Sequence, residues 1–206
     1  MRTLVLASAS PARKALLIAA GIMPHVQVSG VDEPALQAQL SAGGVLDPTG
    51  LCQELAAAKA RSTAAEVRSS HPDALVVGCD SVLELDGRAW GKPVDGAQVL
   101  ALWSGMAGRS GMLRTGHHVV DLITGAEVGK TASTVVRFGR PDLQELAAYI
   151  ASGEPLRVAG AFTLDGLGAA FVEGVDGDPS NVVGLSLPTL RELLGRLGVR
   201  WTDLWT

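Results

Sequence analysis

The sequence predicts an α/β fold built on a mixed sheet, and two patterns lead to that prediction. In the first part of the chain, short apolar strands alternate with helical stretches, which is typical of parallel strands connected by helices. Further on, two long strand candidates, around His117 to Ile123 and Lys130 to Phe138, flank a turn at Thr124-Gly125, which is typical of an antiparallel pair. The chain has 206 residues, 47% of them hydrophobic, so we expect a substantial core that needs neither disulfides nor metals.

The first unit is predicted to be a strand, a loop and a helix. Leu4 to Ala7 is an apolar run that predicts a short buried strand. Ser10 is a residue type that caps helix N-termini, Pro11 suits the first helical position, and Gly21 is a typical stop signal. The loop between this strand and this helix therefore leads directly into a helix N-terminus.

The remaining elements are predicted from apolar spacing and from turn residues. In chain order they are a strand over His25 to Ser29, an acidic loop at Val31-Asp32-Glu33-Pro34, a helix from Leu51 to about Arg68, strands over Ala74 to Cys79 and Ser81 to Leu85, a hairpin turn at Asp86-Gly87, a helix near Ala97 to Trp103, the two long strands, a helix over Pro141 to Ser152 stopped by Gly153, a strand near Phe171, and a final helix after Pro188. Asp80 falls between two of the predicted strands.

Composition excludes several classes of function. The formal net charge of -4 argues against binding to nucleic acid polymers or membrane surfaces, which requires a clustered basic face. No apolar run approaches the roughly 20 residues of a membrane span, and Arg13 and Lys14 interrupt the run that would form a secretion signal. Cys52 and Cys79 are the only cysteines, which favours a reduced, cytoplasmic setting.

The stretch SASPAR, residues 8–13, has the features of a phosphate cradle. A helix N-terminus offers unpaired N–H groups and the positive end of a dipole, and Ser8, Ser10 and Arg13 add donors beside it. The alternative is an ordinary capped helix with a solvated arginine.

Four further charged residues are candidates for chemistry. Asp80 ends an apolar run, and a buried carboxylate needs a partner or a metal unless it accepts backbone N–H groups in a turn. Lys92 lies between Gly91 and Pro93, which restrict the backbone, or else it is an exposed turn lysine. Lys59 could point into a cleft or cover apolar surface with its stem, and Glu33 could be functional or simply solvated. Together these acids and bases are the parts needed to bind a metal-nucleotide and to activate water.

Other motifs do not meet the requirements of their chemistry. The stretch SGMAGRSG lacks the lysine and the spacing of a P-loop. His117 and His118 are neighbours in a predicted strand, so their side chains face opposite sides and do not form a chelating pair. Cys79 is predicted to be a packing residue, not a nucleophile.

The order of the motifs resembles that of a known family. The stretches ASASPARKALL, VDE, LAAAKA, GCDSV, GKP, GEP, AGAFTLDGLG and NVVGL occur in the sequence and spacing of the Maf family, nucleotide pyrophosphatases once described as septum-formation proteins. The resemblance implies a single Maf/ITPase-like domain over residues 1–206, with an elongated mixed sheet flanked by helices and two lobes around a nucleotide cleft. It also implies hydrolysis of a nucleoside triphosphate to the monophosphate and pyrophosphate, assisted by Mg²⁺ or Mn²⁺. Dimers are common among proteins that resemble this one, so a homodimer is expected.

The resemblance also implies roles for individual residues. Ser8, Ser10 and Arg13 match the phosphate-binding signature of the family, and Lys59 and Lys92 match lysines that face the phosphates. Asp80 matches the catalytic aspartate, the general base for the water that attacks the α-phosphorus. Glu33 matches an acidic residue near the metal, which Asp80 also approaches.

Two positions bear on the nucleobase. Members that resemble dTTP and UTP pyrophosphatases carry arginine at the position of Ala12 and usually glutamine at the position of Asp165. An aspartate only accepts hydrogen bonds, which suits the adjacent N–H donors of a guanine-like edge. The branch that resembles 7-methyl-GTP pyrophosphatases has an acid there. Asp165 therefore favours a substrate outside the pyrimidine branch, unless it only caps the loop beside Gly166.

Two other functions stay open on the sequence alone. The first is a non-catalytic, nucleotide-binding regulator of septum formation, because a fold does not determine a function. This function is disfavoured by the presence of Asp80, Glu33 and Lys92, since a binding module needs no base. The second is a different phosphohydrolase that releases orthophosphate, which product identity would distinguish.

Overall fold

The computed structural model describes residues 2–42 and 47–206, and in this part of the chain seven strands form one mixed sheet. The strands are β1 (Leu4–Leu6), β2 (His25–Val26), β3 (Leu75–Leu85), β4 (Arg88–Trp90), β5 (Ser110–Asp121), β6 (Glu127–Phe138) and β7 (Val172–Asp176). Their order is β2-β1-β3-β5-β6-β7, and β4 pairs with β3. The pairs β2-β1 and β1-β3 are parallel and all others are antiparallel, so the predicted mixed sheet is confirmed.

Helices cover both faces of this sheet. They are α1 (Pro11–Ala19), α2 (Glu33–Ala42), α3 (Pro48–Val67), α4 (Gly96–Met106), α5 (Leu143–Ala151), α6 (Pro179–Val183) and α7 (Leu187–Arg196). The predicted start of α1 is confirmed, because Ser10 is the N-cap and Pro11 is the first helical residue. None of the described helices combines the length and the apolar character that crossing a membrane requires.

Three groups of buried side chains form the core. Because alternate strand residues face opposite sides, Leu4 and Leu6 pack with α1 and α7, whereas Val5 packs with Ala60 and Ala64 of α3 on the other face. The third group surrounds Trp103 and Phe138, under α4 and α5, where β3, β5 and β6 extend beyond the end of β1.

The structure corrects three local predictions. Asp80 does not lie in a turn between two strands: β3 runs through it without a break, and Asp80 pairs with Gly116 of β5. Glu33 is not part of a loop but the first residue of α2, because Asp32 accepts a hydrogen bond from Ala35 N at 3.0 Å and so caps a helix. The strand predicted over residues 25–29 is shorter, His25–Val26.

Two glycines let α3 lie directly on the sheet. A Cβ atom at Gly78 would overlap the carbonyl oxygen of Ala56 and lie 2.7 Å from the backbone N of Ala60. A Cβ atom at Gly116 would overlap the carbonyl oxygen of Cys52. The backbone of α3 therefore approaches β3 and β5 more closely than any side chain at these positions would allow.

His117 connects β5 to the start of α7. The fully buried ring accepts a hydrogen bond from Ser186 N on Nε2 at 2.8 Å, and Nδ1 lies 2.9 Å from the carbonyl oxygen of Thr115. This arrangement requires a neutral ring with its proton on Nδ1. Burial, and the nearby positive charge of Arg13, lower the pKa of His117 to about 4.

The low pKa of His117 predicts a loss of stability in mild acid. The unfolded chain binds a proton at this position below its ordinary pKa of 6.5, whereas the folded protein does so only near pH 4, so stability falls as the pH decreases between these values. We expect this residue alone to lower the free energy of unfolding by about 3 kcal/mol over that interval. Urea denaturation at several pH values would show a weaker dependence in His117→Gln, which can still accept from Ser186 N. Equal pH dependence in both proteins would contradict a neutral His117.

Candidate active site

The site lies at a gap in one edge of the sheet. β1 pairs with β3 over Leu75 to Val77, and β4 pairs with β3 over Leu83 to Leu85. In the described part of the chain, the residues between them, Gly78 to Val82, have β5 on one side and no strand on the other. Asp80 lies in the middle of this gap. The register brings the chain after β1, which carries Ser8, and the chain after β4, which carries Lys92, toward the gap from opposite ends.

Two serines form hydrogen bonds at the N-terminal end of α1. Ser8 is buried, and its Oγ accepts hydrogen bonds from Ser10 N at 3.2 Å and from Arg13 Nη1 at 3.1 Å. With both lone pairs engaged, the Ser8 hydroxyl proton is available as a donor to a ligand. Ser10 Oγ accepts from Arg13 N at 3.4 Å, so this serine caps the helix as predicted.

The guanidinium of Arg13 is largely engaged inside the protein. It donates to the carbonyl oxygens of Gly184 at 2.7 Å and Cys79 at 2.9 Å, and to the hydroxyls of Ser8 at 3.1 Å and Ser81 at 3.0 Å. A guanidinium has about five N–H donors, so one is left for a ligand. Arg13 therefore holds the start of α1 against β3, on both sides of Asp80.

Asp80, Lys59 and Glu33 form one charged cluster. Lys59 Nζ lies 2.6 Å from Asp80 Oδ1 and 2.9 Å from Glu33 Oε2. Asp80 is 8% exposed and Lys59 is 7% exposed, whereas the Glu33 side chain is half exposed. Of the alternatives for Lys59, the structure shows a buried ion pair, and the cluster carries a formal charge of -1 that attracts a cation.

The environment of Asp80 adjusts its basicity. Burial raises the pKa of the carboxyl above its ordinary value, Lys59 and Arg13 oppose this shift, and Glu33 reinforces it. Asp80 Oδ1 is held by Lys59, while no described residue forms a hydrogen bond with Oδ2. The carboxylate thus has one fixed oxygen and one oxygen that can accept a proton.

Lys92 and Asp165 are exposed and contact none of the other candidate residues. The loops that carry them are nevertheless connected, because Gly160 N donates to Gly91 O at 3.0 Å. Six of the eight candidates form two groups whose members contact one another. One group is Ser8, Ser10 and Arg13, and the other is Glu33, Lys59 and Asp80. Lys92 and Asp165 belong to neither group.

The donor set fits a divalent cation that arrives with a phosphate ligand. No group of three or more His, Cys, Asp or Glu side chains in the described residues could hold a metal ion by itself. Mg²⁺ is commonly held by one or two carboxylates together with substrate phosphates and water. Glu33 and Asp80 share one ammonium partner and supply two such carboxylates.

The sequence did not indicate a series of hydrogen bonds that begins at Arg13 and continues through Ser81 and Thr115. Ser81 Oγ lies 2.9 Å from Thr115 Oγ1, which donates to Asn181 O at 3.3 Å. Ser81 follows Asp80 directly in GCDSV, but its partners come from distant parts of the chain.

Cys79, as predicted, is fully buried, and burial raises the pKa of its thiol to about 11, so it is not a nucleophile.

Comparisons with known proteins point to one family. The model of the Maf family, described as Maf-like protein, matches residues 3–197. A protein of Streptomyces coelicolor named nucleoside triphosphate pyrophosphatase is 55% identical over 204 residues, covering 99% of this chain and 95% of the relative. Proteins with the same name from Streptomyces avermitilis and Nocardia farcinica are 54% and 53% identical, covering 100% and 98% of this chain and 95% and 96% of the relatives. On this evidence the chain belongs to the Maf family.

Proposed function

We propose that this protein hydrolyses nucleoside triphosphates to the nucleoside monophosphate and pyrophosphate. The observation that carries the proposal is the Glu33-Lys59-Asp80 cluster at the open edge of β3, next to the capped N-terminus of α1. A base, a cation site and phosphate donors are the components that such a reaction needs, and relatives 53–55% identical carry the name of that activity.

Asp80 acts as the general base in this proposal. Its free Oδ2 takes a proton from a water molecule while Lys59 holds Oδ1 at 2.6 Å. The water oxygen then bonds to the α-phosphorus, and the bond between that phosphorus and the bridging oxygen breaks, so pyrophosphate leaves. A carboxylate whose pKa is raised by burial is a stronger base than a solvated one, which suits this role.

The start of α1 binds phosphate oxygens in this proposal. The Ser8 hydroxyl, the helix N-terminus and the one remaining N–H of Arg13 donate to them. Ser10 keeps this turn in its conformation by capping it. Lys92, without an ion-pair partner among the described residues, adds positive charge from the other end of the gap.

Glu33 and Asp80 would hold Mg²⁺ or Mn²⁺ together with the nucleotide phosphates. The cation would neutralise phosphate charge and make the phosphorus more electrophilic. The ammonium group of Lys59 pairs with both carboxylates, so it orients both of them.

Replacing Glu33 by glutamine is expected to weaken metal binding with little effect on the fold, because the side chain is half exposed. We expect the affinity for Mn²⁺ in the presence of nucleotide to fall about tenfold, since one of two carboxylate ligands is lost. Electron paramagnetic resonance of free Mn²⁺ measures this without turnover. Glu54→Gln, an exposed position on α3, is the matched control. Unchanged Mn²⁺ affinity in Glu33→Gln would remove this residue from the metal site.

Asp165 is proposed to contact the base, and Ala12 occupies the position where members of the pyrimidine branch carry arginine. An exposed carboxylate that only accepts hydrogen bonds suits a guanine-like edge, which supports guanine nucleotides, including 7-methyl-GTP, over dTTP and UTP.

A product assay tests the proposed function. The purified protein would be incubated with Mg²⁺ or Mn²⁺ and a panel of ordinary and methylated nucleoside triphosphates, with pyrophosphate, orthophosphate and monophosphate measured separately. Pyrophosphate and monophosphate in equal amounts would support the proposal. Orthophosphate alone would support a different phosphohydrolase, and the absence of turnover with every nucleotide would favour a non-catalytic regulator of septum formation. The single two-lobed domain, the homodimer and the cytoplasmic setting expected from the sequence stay predictions.

A further inference from the structure

The half-buried carboxylate of Glu154 organises the loop that carries Asp165. Glu154 Oε1 accepts hydrogen bonds from Thr163 Oγ1 at 2.6 Å and from Gly168 N at 3.0 Å. Its other oxygen, Oε2, accepts from Leu167 N at 3.0 Å. These contacts hold the loop at both of its ends, residues 163 and 167–168, while Asp165 at its centre is exposed.

The loop is shaped to fit around this carboxylate. A Cβ atom at Gly166 would lie 2.5 Å from Glu154 Oε2, and one at Gly168 would lie 2.8 Å from Thr163 N. Tyr149, on the last turn of α5, donates its hydroxyl to Glu154 Oε1 at 3.2 Å and packs its ring against Phe171. The carboxylate therefore has a partner on the α5 side as well as its partners in the loop.

The segment before the loop is also held in a defined conformation. Ala161 has a φ of 58°, in the left-handed region that non-glycine residues rarely adopt. Trp103 Nε1 donates to Ala161 O at 3.0 Å, and Gly160 N donates to Gly91 O next to Lys92. Strained backbone of this kind persists where the surroundings impose it, and it is enriched at functional sites.

We propose that Glu154 is a positioning residue for base selection: it holds the 163–168 loop so that Asp165 meets the nucleobase in one geometry. This inference rests on the proposed function. Glu154 has no contact with Asp80, Lys59 or Glu33, so it influences which nucleotide binds and leaves the hydrolytic step to the cluster at β3.

The charge and the acceptor capacity of Glu154 both matter to this role. Only a carboxylate can accept from two hydroxyls and two backbone N–H groups on two oxygens at once. A glutamine of the same shape would place an NH₂ donor against either Leu167 N or Gly168 N, where it cannot accept. The loop would then lose one anchor while the apolar packing of Tyr149 and Phe171 stays in place.

The test compares Glu154→Gln and Thr163→Val with Glu173→Gln, a substitution at an exposed position of β7. For each protein, kcat and KM are measured with the preferred triphosphate and with one that carries a different base, and amide hydrogen exchange is followed over residues 163–168. We expect Glu154→Gln to reduce the ratio of the two kcat/KM values about tenfold, through KM for the preferred nucleotide, with kcat changed less than about threefold. Thr163→Val, which keeps the carboxylate but removes one of its donors, is expected to act in the same direction with a smaller effect.

Exchange in the loop should become faster in both variants and stay unchanged in Glu173→Gln. Loop exchange as slow in Glu154→Gln as in the wild type would overturn the inference, whatever the activity. So would faster exchange with an unaltered ratio between the two bases. A wild-type protein that releases no pyrophosphate from any triphosphate would instead overturn the proposed function, which distinguishes the two failures.

Discussion

Asp80→Asn is expected to reduce kcat by about 10³-fold or more, because it removes the proton acceptor and keeps the shape of the side chain. The amide oxygen of an asparagine can still accept the hydrogen bond that Lys59 donates over 2.6 Å, so the cluster should stay assembled. An amide cannot take a proton from water at neutral pH. Nucleotide affinity depends also on Ser8, the start of α1 and Glu33, so losing one of the two carboxylate ligands should weaken it by no more than about tenfold.

The measurement combines single-turnover kinetics with calorimetric nucleotide binding in the variant. Asp176→Asn, at an exposed position of β7 where the side chain has no hydrogen bond or ion pair in the described structure, serves as the control for the chemical change alone. Turnover of Asp80→Asn within tenfold of the wild type would exclude Asp80 as the base. A loss of nucleotide binding together with activity would instead make Asp80 mainly a ligand of the metal-nucleotide.

Local signals in the sequence predicted much of the fold. The start of α1 depends on Ser10 and Pro11, which act within one turn of each other, and the hairpin at Asp86-Gly87 depends on two neighbouring positive φ values, 52° and 73°. The start of α2 also has a local signal, Asp32 followed by Pro34, but the run of acidic residues suggested a solvated loop. Capping by Asp32 therefore outweighs the charge of this segment.

The contacts of the candidate site depend on residues far apart in the sequence. Ser8, Arg13 and Asp80 could be singled out as a helix N-terminus and a charge after an apolar run. Arg13 also donates to Gly184 O, 171 positions away, and the spacing of residues in the sequence does not predict this contact. Glu154 offers no periodicity or charge pattern either, since its partners lie in an irregular loop 9 to 14 residues further on.

β3 continues without a break through Asp80, because the contact with Lys59 outweighs the low strand propensity of aspartate. A carboxylate in a central strand is unfavourable by propensity, and the sequence predicts that Asp80 falls between two strands. Lys59 offsets part of the cost of burying this carboxylate by pairing with it from α3, and α3 is close enough only because Gly78 has no side chain. Asp80 and Gly78 face the same side of β3, two residues apart, so the glycine sets the distance at which the ion pair forms.

Gly78→Ala is therefore expected to affect both stability and activity. The new methyl group would overlap the carbonyl oxygen of Ala56 and lie 2.7 Å from Ala60 N, and backbone atoms of a helix cannot move aside as a flexible side chain can. We expect the free energy of unfolding to fall by about 3 kcal/mol, as for overpacked core positions. The displaced helix would also carry Lys59 away from Asp80, so kcat should fall even under conditions where the variant is folded.

Urea denaturation and steady-state kinetics at low temperature separate these two effects. Gly195→Ala is the matched control, because a Cβ atom at this exposed position of α7 meets nothing within 4 Å and the substitution should stabilise the helix by about 0.5–1 kcal/mol. A folded Gly78→Ala protein with wild-type kcat would mean that the Lys59-Asp80 distance is not critical to turnover. A lower kcat in the folded variant would instead show that the contact between α3 and the sheet is part of the catalytic apparatus, although neither Gly78 nor Ala56 contributes a functional group.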